Sequence, residues 1–190
     1  MTTDETLEPP LRRVIKNPVS GERIVIRESQ HGESGRALVF DLYLPPGGHV
    51  PAGHAHPQQE ETFTVIAGRM RFRLGKRTIL AGPGETIVIP SGQAHWFGNV
   101  GEDTAHAQVE VTPALRMEEF FEMTEAISRA GHFPGSSMPR LSDTALMLLE
   151  FRDEVAIPKV PSFVVTVLLS PLAWVARWRN RRNAPREACN

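Results

Sequence analysis

The density of proline and glycine constrains the fold of this chain more than any other feature. Between Pro45 and Gly101 the sequence places 16 of its 31 Pro and Gly residues. The segments between these turn residues are short and rich in β-branched and aromatic residues, which is typical of antiparallel sandwiches and barrels. The predicted strands are RIVIRE, ALVFDLYL, ETFTVIA, RMRFRL, RTIL, ETIVIP, HWF and AHAQVEV. This part of the chain is therefore expected to be mainly β.

One stretch predicts which face of a strand is buried. In RMRFRLGKRTIL, arginines alternate with apolar residues, so one face of the strand should contact solvent and the other the core. Gly75 and Lys76 then predict a hairpin turn. Phe63, Phe72 and Phe97 are expected to line the interior, either as core filling or as the wall of an apolar pocket.

Beyond the last predicted strand the pattern becomes helical. ALRMEEFFEMTEAISRAG has apolar residues at helical spacing and stops at Gly131. A second helical run, SDTALMLLEFRDE, is expected to begin at a cap formed by Ser142 or Asp143. The predicted organisation is a flexible N-terminal segment (1–16), a barrel (17–114), a helical extension (115–155) and an apolar, then basic, tail (156–190).

Composition excludes several classes of protein. A net charge of −1 gives no electrostatic reason to expect a nucleic-acid partner. The single cysteine, Cys189, cannot form an internal disulfide or a thiolate zinc site. The acidic, polar start MTTDETLEPPLRR does not have the pattern of a signal peptide, so a cytoplasmic location is expected.

Imidazoles and carboxylates lie next to an apolar run in HAHPQQEETFTVIAG. On a strand, His54 and His56 share a face because they are two residues apart. Glu61 shares its face with the apolar residues of the next strand, whereas Glu60 lies opposite. Face parity favours Glu61 over Glu60 as a ligand, and Glu60 is then a solvated rim residue. The interval from His56 to Glu61 is odd, and the irregular residues 57–59 can restore the alignment.

A third histidine follows a distant strand. His95 comes after TIVIP and a tight turn at Ser91 and Gly92. With His54, His56 and Glu61 it makes a cluster of three imidazoles and one carboxylate, which suits Mn, Fe, Co, Ni, Cu or Zn. His31, His49, His106 and His132 are expected outside this site, in loops or on polar faces. Gln58, Gln59 and Gln93 are either substrate contacts or solvated loop residues.

The spacing of these residues resembles the cupin family. The first cupin motif corresponds to Gly48, His54, His56, Glu61 and Gly68. The second corresponds to Gly84, Pro90, Gly92, His95 and Asn99, after an interval of 15 residues (69–83). The resemblance covers roughly residues 17–112 and is nearest to small single-domain bacterial cupin-2 proteins. It implies a β-barrel or jelly roll of two antiparallel sheets with the metal inside.

The resemblance also implies two kinds of function. The first is a metal-dependent enzyme acting on a small organic molecule, by dioxygenase or by isomerase or cyclase chemistry, with Glu61 as a ligand that can act as a base. The second is a non-catalytic module that binds or senses a metal or a small molecule. Small cupins commonly pair through sheet edges, so a homodimer is expected.

The tail has a pattern of its own. Residues 160–176 include no charged residue over 17 positions, and Arg177, Arg179, Arg181 and Arg182 follow, interleaved with Trp178. The run is at the short limit for a membrane span, which takes about 20 residues, and prolines interrupt it. Packing on protein is favoured over peripheral membrane contact. Residues 160–182 are expected to be a docking element that metal binding does not require.

Overall fold

Strands precede helices along the chain, as the sequence predicts. A computed structural model describes residues 13–18, 20–27, 30–32, 35–132 and 138–183, and these contain ten strands and three helices. The strands are β1 (Arg13–Lys16), β2 (Arg23–Ile26), β3 (Gln30–Gly32), β4 (Gly35–Leu44), β5 (Glu60–Ala67), β6 (Met70–Leu74), β7 (Arg77–Ala81), β8 (Thr86–Ile89), β9 (His95–Asn99) and β10 (Ala105–Thr112). The helices are α1 (Met117–Arg129), α2 (Leu141–Glu150) and α3 (Ser162–Asn183).

The strands form two antiparallel sheets. The larger sheet has the order β1-β2-β4-β10-β5-β8, with β3 also paired to β4. The smaller sheet has the order β7-β6-β9. The fold is therefore mainly β, with two antiparallel sheets followed by C-terminal helices, which confirms the predicted class.

The core lies between the two sheets. Phe63 of β5 contacts Phe72 of β6 and Phe97 of β9, with ring centroids 5.2 Å and 4.9 Å apart. These contacts join the larger sheet to the smaller one. Phe63 and Phe72 are fully buried, and each such side chain contributes about 1.5–3 kcal/mol relative to exposure. The predicted interior position of the three phenylalanines is confirmed.

The strand positions predicted from turn residues and alternation agree with those in the structure. Each of the eight predicted strands corresponds to an observed one, and the turn at Gly75 and Lys76 joins β6 to β7. In β6, Met70 and Phe72 are buried whereas Arg73 is exposed, as the alternation predicts. The sequence missed β1 and β3. The four residues of β1 fall in the segment 1–16 that was expected to be flexible, and they are ordered by antiparallel pairing with β2. Residues 1–12 and Cys189 lie outside the described residues.

α1 packs on the two-sheet domain, and α2 and α3 pack on one another. Phe121 of α1 contacts Phe40 of β4 with ring centroids 5.1 Å apart, so α1 extends the core. The cap predicted for α2 is wrong, because Arg140 is the N-cap and makes no side-chain cap hydrogen bond. Asp143 is instead buried, and its carboxylate forms an ion pair with Arg179 and lies 3.0 Å from Nδ1 of His132.

Most of the tail is helical. α3 packs on α2 through Ala173 and Ala176, which are fully buried together with Ala145 of α2. Pro171 lies inside the helix. None of the helices within the described ranges has the length and apolarity that crossing a membrane requires.

Candidate metal centre

The first two histidines lie on the segment that joins β4 to β5. His54 and His95 form a β-bridge, in which the N–H of His54 donates to the carbonyl of His95 (3.0 Å) and the N–H of His95 donates to that of His54 (2.8 Å). Ala55 forms a second bridge with Ala156. In place of the strand expected around His54 and His56, the segment therefore has isolated bridges at His54 and Ala55.

Glu61 occupies the inner face of β5. Its residue exposure is 5%, while Glu60 is exposed, so the predicted choice between the two carboxylates agrees with the burial pattern. The irregular residues before β5 include Gln59, which is 1% exposed and donates from Nε2 to the carbonyl of Pro113 (2.9 Å). Gln59 is thus a buried anchor of the ligand segment and not a solvated side chain.

His95 begins β9, on the smaller sheet. The preceding turn is held to the first ligand segment, because the N–H of Gly92 donates to the carbonyl of His56 (2.7 Å). Gly92 has φ +74°, a conformation that glycine adopts without strain. The turn therefore fixes the position of His95 relative to His56.

The four predicted ligands come together. One ligand atom from each of His54, His56, Glu61 and His95 lies within 4.8 Å of the others. Oε2 of Glu61 is 3.0 Å from Nε2 of His95 and 3.4 Å from Nε2 of His56. These three atoms are buried and have no hydrogen-bond partner of acceptable geometry among the described residues. Buried polar atoms without such partners are costly, and a bound cation would satisfy them.

Backbone carbonyls set the tautomer of all three imidazoles. Each Nδ1 lies within hydrogen-bond distance of a carbonyl, which can only accept, so Nδ1 carries the proton. The acceptors are Ala52 for His54 (3.1 Å), Glu154 for His56 (2.5 Å) and Gln93 for His95 (2.9 Å). In the neutral form of each imidazole Nε2 then carries the lone pair, and Nε2 of His56 and Nε2 of His95 lie beside Oε2 of Glu61. This is the arrangement in which imidazole binds metals.

The charge states also suit a cation. Burial raises the pKa of Glu61, but the neighbouring imidazoles of His56 and His95 outweigh burial and hold it well below its ordinary value of 4.5. Burial, together with His95 and His56, lowers the pKa of His54 to about 3. Burial opposes protonation of His56, yet Glu61 raises its pKa above the ordinary 6.5. The centre therefore combines a charged carboxylate with a neutral imidazole at His54.

The segment after α2 was not predicted to touch this site. The carbonyl of Glu154 accepts the Nδ1 proton of His56, and Ala156 pairs with Ala55. Nearby, Gln58 donates to Asp153 (3.2 Å). The predicted tail (156–190) includes Ala156, but the bridge to Ala55 joins this residue to the ligand segment. No side-chain motif in the sequence signals these backbone contacts.

The other described histidines lie elsewhere. His49 is exposed and its ring lies against Trp96, with centroids 5.6 Å apart. His106 is 2.9 Å from the buried carboxylate of Asp41 and stacks on Tyr43. These positions agree with the rim and polar-face locations expected from the sequence.

Comparison with known proteins shows which part of the chain resembles a known family. Residues 40–111, which run from the second half of β4 into β10 and hold all four residues of the cluster, match the family described as the cupin domain. This segment, which is less than half of the chain, is similar to cupin domains.

Individual relatives are more distant. An uncharacterized protein of Streptomyces coelicolor is 29% identical over 68 residues, which are 36% of this chain and 64% of that protein, so less than two thirds of the relative is matched. KdgF from Halomonas sp. has a TM-score of 0.47 at 13% identity, over 56% of this chain and 91% of that one. An RmlC-like cupin from Shewanella frigidimarina has a TM-score of 0.46 at 14% identity, over 55% and 86% of the two chains.

Proposed function

We propose that the protein binds one divalent transition-metal ion through His54, His56, Glu61 and His95 and acts on a small organic molecule at that ion. The observation that supports the proposal is that Nε2 of His56, Nε2 of His95 and Oε2 of Glu61 are buried without hydrogen-bond partners in the described part of the chain. A ligand atom of the partly buried His54 lies within 4.8 Å of each of the other three residues' ligand atoms. Nitrogen and oxygen donors without thiolate suit Mn, Fe, Co, Ni, Cu or Zn.

Four protein ligands on a six-coordinate ion leave positions for a substrate. When bound, such an ion supplies Lewis-acid polarisation of a carbonyl or, if it is redox-active, dioxygen chemistry. The first corresponds to an isomerase or cyclase and the second to a dioxygenase.

The unequal burial of the four residues indicates from which side a substrate would reach the proposed metal centre. His56, Glu61 and His95 are at most 5% exposed, whereas His54 is only partly buried, next to the exposed residues 51–53. A substrate therefore approaches on the His54 side. The ring of Phe97 lies 6.4 Å from that of His54 and belongs to the buried core behind it.

Glu61 is the proposed proton-transfer group. Its carboxylate stays charged because the imidazoles of His56 and His95 lie beside it. A charged carboxylate at the ion can accept a proton from carbon or oxygen of a bound substrate. Because the same residue is a ligand, removing it would weaken both metal binding and turnover.

A matched pair of substitutions tests the proposal. Glu61→Gln removes the buried charge, and Glu60→Gln removes the adjacent exposed one. Elemental analysis of protein purified without added metal should find about one ion per chain in the wild type and in Glu60→Gln. Glu61→Gln should bind the ion more than about 100-fold more weakly, beyond the effect typical of losing a residue that only supports a ligand. Equal metal content in the two variants would refute the site.

Turnover separates the enzyme from the binding module. The metal-loaded protein would be incubated with aromatic and dicarbonyl compounds, and oxygen consumption and product isomers would be measured. Conversion that requires metal and is lost in Glu61→Gln supports the enzyme. Tight metal binding with no conversion of any compound would favour a non-catalytic binding or sensor protein.

A further inference from the structure

α3 has two apolar faces, and α2 covers only one of them. The inner face contributes Ala173 and Ala176 to the cluster with α2. Phe163, Val167 and Trp174 follow one another at intervals of four and seven residues, so they share a different face. Their exposures are 69%, 70% and 66%. We call these three residues, with the neighbouring Leu168 (66% exposed), the outer face of α3.

The hydroxyl groups of α3 have internal acceptors. Thr166 donates to the carbonyl of Ser162 (2.9 Å), and Ser170 donates to that of Thr166 (2.6 Å). Hydroxyls that bond back to the preceding turn do not depend on water, which is how Ser and Thr are accommodated in helices next to lipid. Pro171 has no N–H for the carbonyl of Val167. That carbonyl needs a donor, which the wet interface of a bilayer supplies and its hydrocarbon interior does not.

Charge is distributed unevenly along the chain. Residues 155–190 carry six of the 21 Lys and Arg residues and only one of the 22 Asp and Glu residues. Their net charge is +5, whereas residues 1–154 have a net charge of −6. Within α3 the first 15 residues are uncharged and the arginines follow at its C-terminal end. Arg177 and Arg179 pair with Glu150 and Asp143 of α2, and Arg181 and Arg182 continue the basic sequence.

We propose that the outer face of α3 docks on the surface of an anionic lipid bilayer. The aromatic side chains enter the boundary between headgroups and acyl chains, where Trp is favoured, and the basic end lies against anionic headgroups. Because the inner face packs on α2, the helix axis lies along the protein surface and parallel to the bilayer. Ala156 is bridged to Ala55 and precedes α3 by a short connection, so docking holds the proposed metal centre near the membrane.

The competing occupant is a second copy of this chain. A symmetric pair of α3 helices would bury the same apolar residues, but it would bring like positive charges together and give them no anionic partner. The two occupants predict different dependences on lipid charge and on salt, because exposed basic groups near an anionic surface each contribute an attraction that salt screens.

Co-sedimentation of the full-length, metal-loaded protein with vesicles tests the proposal. Phosphatidylcholine vesicles with and without phosphatidylserine would be compared, at low and high salt. The protein should bind the phosphatidylserine vesicles at least about tenfold more strongly, and salt should reduce this binding. The double variant Phe163→Ala, Trp174→Ala should lose about tenfold or more of the binding, because two large apolar side chains no longer leave water.

A matched variant controls for general loss of apolar surface. Leu80→Ala, Val88→Ala removes two exposed side chains from β7 and β8, each 47% exposed, and should bind vesicles like the wild type. Metal content and circular dichroism of both variants should match the wild type. Binding that is absent, indifferent to phosphatidylserine, or unchanged in the α3 variant would overturn the proposal. So would a wild-type dimer that the α3 variant converts to a monomer without any effect on vesicles.

Discussion

The substitution Ala156→Pro tests whether the segment after α2 belongs to the metal centre. The N–H of Ala156 donates to the carbonyl of Ala55 (2.9 Å), and proline has no N–H. Because Ala55 is buried, water would not replace the lost donor, and the carbonyl of Ala55 would have no hydrogen bond from this side. The bridge lies two residues after Glu154, whose carbonyl holds Nδ1 of His56. Losing the bridge should therefore allow the His56 ring to leave its present orientation.

The expected size of the effect follows from these contacts. Leaving a buried carbonyl without its donor costs about 1–3 kcal/mol. Groups that orient a metal-binding histidine typically change metal affinity by about 10- to 100-fold, which is about 1.4–2.8 kcal/mol. The two estimates agree, so Ala156→Pro should weaken metal binding by about 10- to 100-fold while the four ligands remain in place.

Competition with a chromophoric chelator measures the affinity directly. Thermal unfolding gives a second measurement, because a ligand that binds the folded state raises the unfolding temperature according to its affinity. The rise caused by metal should be smaller in Ala156→Pro than in the wild type. Ala156→Gly keeps the N–H and is the control, with near-normal affinity expected. A folded Ala156→Pro variant that binds metal as tightly as the wild type would show that the segment does not orient His56.

Three further predictions concern the two-sheet domain. Gly68→Ala should lower the free energy of unfolding by at least about 2 kcal/mol in denaturant titrations, because Gly68 has φ +77° and a Cβ there would lie 2.7 Å from Cα of Ala105. Gly84→Ala, at φ +84° with open space around it, should cost only about 1 kcal/mol, and equal costs would contradict the packing argument. Metal affinity should fall as the pH drops, starting above the ordinary imidazole pKa of 6.5, because Glu61 raises the pKa of His56 and a proton there competes with the ion. Affinity that stays constant from about pH 8 to 6 in chelator titrations would contradict this. The homodimer remains a prediction from the sheet edges, to be checked by light scattering, and a monomeric mass at micromolar concentration would exclude it.

The strands and the choice between the two carboxylates could be predicted because their signals are local. Alternation with a period of two places Glu61 on the same face as Phe63, and the structure buries both. Turn residues on either side fixed where each strand ends. The spacing of the histidines then identified a ligand cluster before any three-dimensional information, because two short motifs specify both residue types and intervals.

Features that depend on distant partners were missed or misplaced. β1 is only four residues long and is ordered by pairing with β2, for example Val14 with Val25. Asp143 has the residue type of a helix cap, but it lies inside α2, where its carboxylate pairs with Arg179 and is 3.0 Å from Nδ1 of His132. In both cases the local structure depends on a contact with residues elsewhere in the sequence. The neighbouring residues alone therefore could not predict it.

The contact between His56 and Glu154 shows that the proposed metal centre includes residues other than its four proposed ligands. The ligand types are side-chain properties, and all four lie within residues 40–111, which match the cupin domain. The orientation of His56 depends on a backbone carbonyl 98 residues further along the chain, outside that segment. Every residue has a backbone carbonyl, so the residue type at position 154 could not have predicted the contact. The ligands therefore belong to the family segment, while the C-terminal extension fixes the tautomer of one of them. Changes in the helices after the two-sheet domain are consequently expected to alter the affinity of the proposed metal centre without changing any of its four proposed ligands.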